Sequence, residues 1–176
     1  MSEYYYLIPS LPSLDFSEPC PLSAEAFLAM CKGNVSDRDY ANLSTLDISG
    51  GEGCTFARRW SEFYAAFRTA LSDARLRRSS AASSSKEQAD PQIQQCIAQA
   101  LAEENPLEAE LIMLKFLYAK AGEMAGLAWF DTDALFCYAV KLRILQRKDL
   151  FSAREGKAEF NRLFAGLQSV IFETNT

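Results

Sequence analysis

Asp131, Asp133 and Tyr138 are the side chains whose types and spacing come closest to acid–base chemistry in this sequence: two carboxylates and a phenol within eight positions of one another. The chain has no histidine. That absence removes the Ser-His-Asp and Cys-His arrangements, histidine metal sites and the usual general base near neutral pH, so catalysis would rest on carboxylates, lysine or tyrosine. Acids at a helix start ordinarily serve as caps, and Asp131 and Asp133 stand where a helix is expected to begin. Two other stretches imitate reactive motifs. Ser49-Gly50-Gly51-Glu52-Gly53 precedes a helix as a phosphate cradle would, yet it lacks the Gly-x-x-x-x-Gly-Lys-Ser spacing, and Glu52 would repel a phosphate. An ordinary flexible connection is expected there. Ser83-Ser84-Ser85-Lys86 matches Ser-x-x-Lys formally, without the rigid helix start and companion motifs that the nucleophile requires.

Cys20, Cys31, Cys54, Cys96 and Cys137 are odd in number and scattered, with no C-x-x-C pair. They are expected to be reduced, with Cys96 and Cys137 as small core hydrophobes, and neither zinc nor any other cofactor is expected. A net charge of -5 argues against nucleic acid as the main partner, because phosphate affinity comes largely from counterions released by Lys and Arg. No apolar run approaches the ~20 residues that span a bilayer. MSEYYYLIPS lacks the basic flank and long apolar core of a signal peptide, so a cytoplasmic protein is expected.

With 176 residues and 49% hydrophobic content the chain can bury a proper core, and one helical domain over residues 1–176 is expected. Its centre should be the stretch from Asn105 to Lys148. Asn105-Pro106 reads as a cap and first helical position; Leu107, Leu111, Leu114, Tyr118 and Ala121 then share one face, with Ile112 and Phe116 on a second. A helix apolar on two sides is sandwiched between others. Gly122 and Gly126 end it, and Asp131 or Asp133 caps the next helix, whose first half is apolar all round.

Ser23 caps a short helix through Cys31 that Gly33 closes, and Ser36-Asp37-Arg38-Asp39 opens another with Tyr40, Leu43 and Leu46 inward. Phe56, Trp60, Phe63, Phe67, Leu71 and Ala74 recur at helical spacing from Thr55 to about Arg78, an aromatic core stripe opposite Arg58, Arg59, Arg68 and Arg75. Ser79 to Ala89 has too little apolar surface to hold itself in place, so a mobile loop is expected at about 79–90. Asp90-Pro91 restarts helix, with Ile93, Ile97 and Leu101 inward. Ser152-Ala153-Arg154-Glu155 reads as the capping box of a last helix bearing Phe160, Leu163, Phe164 and Leu167. Tyr4-Tyr5-Tyr6-Leu7-Ile8 is too short for periodicity to decide between a buried short strand and a single helical stretch, and an extended or mixed conformation is expected. The fold class is therefore all-α, an irregular or orthogonal bundle of about seven helices.

Lys141, Arg143, Arg147 and Lys148 suit the negative end of their helix, and Arg154 and Lys157 extend that positive region. Read as a site, the six form a docking surface for an acidic partner.

Three segments carry a family resemblance: YYYLIPSLPSLDF, PLSAEAFLAMCKGNVSDRDYANLSTLDI, and the paired helices from NPLEAELIML to EFNRLF, above all YAVKLRILQRKDLF with the following EGK. They resemble an uncharacterised bacterial family encoded within V-type ATPase operons. The layout is also similar to the C subunit of V/A-type ATPases, called d in eukaryotic enzymes. That subunit is about twice as long and built of repeated helical subdomains, so this chain has room for about one such unit. The resemblance implies a non-catalytic part or assembly companion of a rotary ATPase that contacts other V-type ATPase subunits and leaves nucleotide chemistry to them.

Overall fold

The computed structural model describes residues 4–79, 90–127 and 130–150. These hold seven helices: α1 (Leu7–Ser10), α2 (Ala24–Cys31), α3 (Asp37–Thr45), α4 (Thr55–Ser79), α5 (Pro91–Ala102), α6 (Pro106–Ala125) and α7 (Thr132–Leu150). No strand forms among the described residues, whose only pairing of that kind is an isolated bridge between Asp47 and Gly50. The bundle is all-α.

Most helix starts follow local chemistry. The side chains of Ser23, Ser36, Asp90 and Asn105 accept from the backbone N–H of Ala26, Asp39, Gln92 and Leu107, filling donors that have no partner inside the helix. Pro91 and Pro106 follow their caps directly, where a missing N–H costs nothing. Gly126, at φ +59, closes α6 and donates its N–H to the Gly122 carbonyl.

The N-terminal segment takes a helical turn rather than an extended course. Leu7–Ser10 is one helical turn, entered through Ile8 N–H donating to the Tyr4 carbonyl, and Pro9 is tolerated because it lies in the first turn. Tyr4 and Leu7 point into the core, whereas Tyr5 and Tyr6 face outward. The last helix expected from Ser152 lies outside the described residues, as does most of the loop expected at about 79–90; Ser79 still belongs to α4 and Asp90 caps α5.

α6 packs between α5 and α7, and α4 touches all three. This is the sandwiched position that its two apolar faces require. The most buried helix is nonetheless α7, where Leu135, Phe136, Cys137, Ala139, Val140, Leu142, Ile144 and Leu145 are all enclosed. The α2–α3 pair leans on it through α3. On α4, Phe56, Trp60 and Phe67 reach the centre, and Phe67 stacks on Phe116 of α6 with ring centroids 6.0 Å apart.

The glycine loop before α4 is clamped rather than loose. Trp60 donates its indole N–H to the Ile48 carbonyl at 2.9 Å, and Ser61 Oγ accepts from Gly51 N–H while its own proton is shared between the carbonyls of Ala57 and Gly51. Gly50 sits at φ +99, and a Cβ there would collide with Ser61 Oγ. Only glycine combines that backbone angle with that approach.

Candidate functional site

The acids and tyrosine with the most plausible chemistry are drawn into holding the backbone. Asp131 Oδ1 accepts from Ala134 N–H at 2.9 Å and caps α7. Asp133, two residues on, caps a different helix: its Oδ1 accepts from Phe56 N–H, 3.1 Å away in the first turn of α4. The next donor, Ala57 N–H, points to Cys54 Sγ. A hollow of about 750 Å3 beside Gly51, Cys54, Arg58 and Glu62 does open at this end of α4. An anion there would face Glu52 and Glu62 in the lining, and the Phe56 N–H at this helix N-terminus is already taken by Asp133.

Tyr138 is turned the other way. Its hydroxyl donates to the Pro12 carbonyl at 2.9 Å, the first grip in a series that holds residues 12–22 across α6 and α7. Tyr118 O–H donates to the Leu14 carbonyl at 2.8 Å. Lys148 Nζ donates to the carbonyls of Phe16 at 2.9 Å and Glu18 at 2.6 Å, Asp149 accepts from Cys20 N–H at 2.7 Å, and Gln146 reaches the Leu22 carbonyl. Every second residue of this strap is held through its main chain. The strap forms no helix or strand, and its only main-chain to main-chain bond in this stretch is from Glu18 N–H to the Asp15 carbonyl, so these side chains are what fasten it to α6 and α7.

The expected docking residues therefore divide. Lys148 is only 13% exposed and anchors the strap, with its ammonium also over the Phe16 ring and 3.5 Å from Asp149. Lys141 lies against α6, its Nζ 4.8 Å from the centre of the Tyr118 ring; a Cβ on Gly122 would come within 2.9 Å of it. Arg147 is exposed and pairs with Glu110 of α6 at 2.7 Å. Arg143 is half-buried and forms no ion pair with a described residue. Arg154 and Lys157 lie outside the described residues, as does Ser83-Ser84-Ser85-Lys86. Helical periodicity places Lys141 and Lys148 on α7 but says nothing of what its neighbours present to them, so their inward contacts had no local signal.

Comparison with known proteins finds no matching family model, no matching curated sequence and no matching solved structure. The site is thus read from its own geometry.

No group of three or more metal-ligating side chains gathers among the described residues, and no described helix is long and apolar enough to cross a membrane. Burial pushes the thiols up from the ordinary 9.0: Cys31, Cys96 and Cys137 to about 11, and Cys54, where the Asp133 carboxylate adds to the effect of burial, to about 12. Burial likewise raises the Tyr138 phenol from 10.0 to about 12, helped by Cys20 and Tyr118 nearby. At neutral pH these groups are protonated, and the thiols are poor nucleophiles.

A raised pKa means that the folded chain keeps its proton where the unfolded chain has lost it. The corresponding stability is complete below the unfolded values of 9.0 and 10.0 and is lost as pH climbs towards 11 and 12. Thermal melts between about pH 8 and about pH 11 should show a steady fall in midpoint, smaller in Tyr138→Phe. A midpoint constant over that range would contradict the burial of these groups.

Proposed function

We propose that this chain is a non-catalytic accessory or central-stalk-like subunit of a V-type rotary ATPase or ATP synthase, contributing to proton or sodium transport through protein–protein contacts. The observation that carries the non-catalytic part is the use of Asp131, Asp133 and Tyr138: each is engaged with main-chain groups, two at helix starts and one on the strap. The assignment to a rotary ATPase rests on the resemblance of the three segments described above. Contact with the other subunits runs through the Lys141, Arg143, Arg147, Lys148, Arg154 and Lys157 set. Within it Arg147 is exposed and paired with Glu110, while Lys141 and Lys148 hold the surface together from below. Such a subunit would sit peripherally at the inner face of the membrane, held there by the complex.

A free-standing helical adaptor is the second reading, favoured by exposed apolar side chains in the N-terminal segment and after α6. Tyr6 is 95% and Leu127 86% exposed, and Tyr5 rests on Phe130 with ring centroids 5.2 Å apart. Exposed aromatic clusters of this kind mark protein contact surfaces.

Co-purification with the ATPase from native membranes tests the first reading. The wild-type chain should travel with the complex, and the Arg143→Glu/Arg147→Glu variant should be retained several-fold less, in a salt-sensitive manner. Equal retention of the variant removes those arginines from the interface. A chain that never travels with the complex removes the ATPase reading and leaves the adaptor.

A further inference from the structure

The arginines of α4 divide into two groups with different causes. Arg77 and Arg78 lie in the last turn, where the helix dipole favours cations, and Arg78 Nη1 donates to the Leu101 carbonyl at 2.6 Å. Arg68 and Arg75 lie before that turn, where the dipole has little effect. Both are exposed, and neither forms an ion pair with a described residue. At seven residues apart they share one face to within ~20° and stand about 10 Å apart along the axis. Ser72 lies beside them, with half-buried Leu71 on one flank and Leu76, 56% exposed, on the other; together these five line a shallow trough of about 510 Å3. At 100° per residue the strip covers an arc of ~140° on α4.

We infer that this strip of α4, centred on Arg68 and Arg75 and edged by Leu71 and Leu76, is a docking surface for an acidic helix of a partner protein. Two cations one heptad apart between apolar flanks match a helix that carries carboxylates at the same spacing beside leucines, in the way that flanking charges select partners in helix pairs. Guanidinium groups suit that partner because they bind carboxylates in bidentate fashion. A nucleic acid fits less well, because two arginines neutralise too few phosphates to hold one. The surface is distinct from the α7 set and does not depend on the partner being an ATPase subunit.

The test uses the full chain and a fluorescent synthetic amphipathic helix with glutamates seven residues apart beside a leucine stripe. Anisotropy should show saturable binding that weakens with salt, and Arg68→Glu/Arg75→Glu should weaken it about tenfold or more. Arg58→Glu/Arg59→Glu, exposed elsewhere on α4, should change it less than about twofold. Thermal melts of both variants should match the wild type, because all four side chains are solvated. Equal binding by the Arg68/Arg75 variant, or by a peptide with lysines in place of the glutamates, would overturn the assignment. Tighter binding to a duplex RNA of equal length would overturn it in favour of a nucleic-acid surface.

Discussion

Trp60→Ala is expected to lower the melting midpoint by about 10 °C or more, the largest effect of any single truncation considered for this chain. The indole is fully enclosed, at 0% exposure, and touches the rings of Phe56, Phe63 and Tyr64 with centroids 6.2, 5.5 and 6.4 Å away. Truncating a buried tryptophan costs about 3–5 kcal/mol, from lost transfer energy and the cavity left behind. A domain has only about 5–15 kcal/mol of stability to lose. The residue also connects α4 to the turn before it, because its N–H satisfies the Ile48 carbonyl. Trp60→Phe should therefore cost about 1–3 kcal/mol, keeping most of the ring and giving up that bond. Thermal and urea melts followed by circular dichroism measure both. An alanine variant melting within about 2 °C of the wild type would show that the indole is not where the structure puts it.

Tyr4→Phe should be costly for a single oxygen atom. Tyr4 O–H donates to Asp39 Oδ2 at 2.5 Å, and Asp39, 8% exposed, is the one charged residue among the described ones that is buried. The same hydroxyl accepts weakly from Ser36 N–H at 3.5 Å, so it takes the position that a glutamate side chain would fill in an ordinary capping box. Tyr4 N–H donates to the Phe130 carbonyl at 2.7 Å, tying the N-terminus to the segment that enters α7. Removing the hydroxyl leaves a buried carboxylate short of a donor, at a cost of about 2–3 kcal/mol. Asp39→Ala removes the acceptor, and the double variant should be less destabilised than the sum of the two, by about 1 kcal/mol or more. Strict additivity would mean that phenol and carboxylate do not meet in solution. The exposed Tyr5–Phe130 pair depends on the same anchor, so Tyr4→Phe should also speed proteolysis near the N-terminus.

How much of this was legible beforehand differs from element to element. Ser23, Ser36, Asp90 and Asn105 announced their helices because a cap acts within three residues of itself, and Pro91 and Pro106 confirmed the register. The α4 stripe was equally plain. Tyr4 to Ile8 was not, since one helical turn offers no periodicity and its conformation is chosen by the distant Asp39 and Phe130. The glycine loop read as an ordinary flexible connection because its clamp comes from Trp60 and Ser61, side chains that its own composition does not mention. Of the docking set, Lys141 and Lys148 looked like solvated helix-end charges, and their inward contacts depend on α6 and on residues 16–18.

From the chain of letters alone came the helical class, the positions of most caps and the amphipathic faces, since each follows from interactions between residues at most four apart. The absence of histidine narrowed the available chemistry in the same direct way. Folding decided which carboxylate caps which helix, which lysines turn inward and which arginines stay outside. Asp133 serves α4 rather than its own helix, and Lys148 holds a strap more than a hundred positions away, because such pairings arise only when packing brings distant segments within hydrogen-bonding reach.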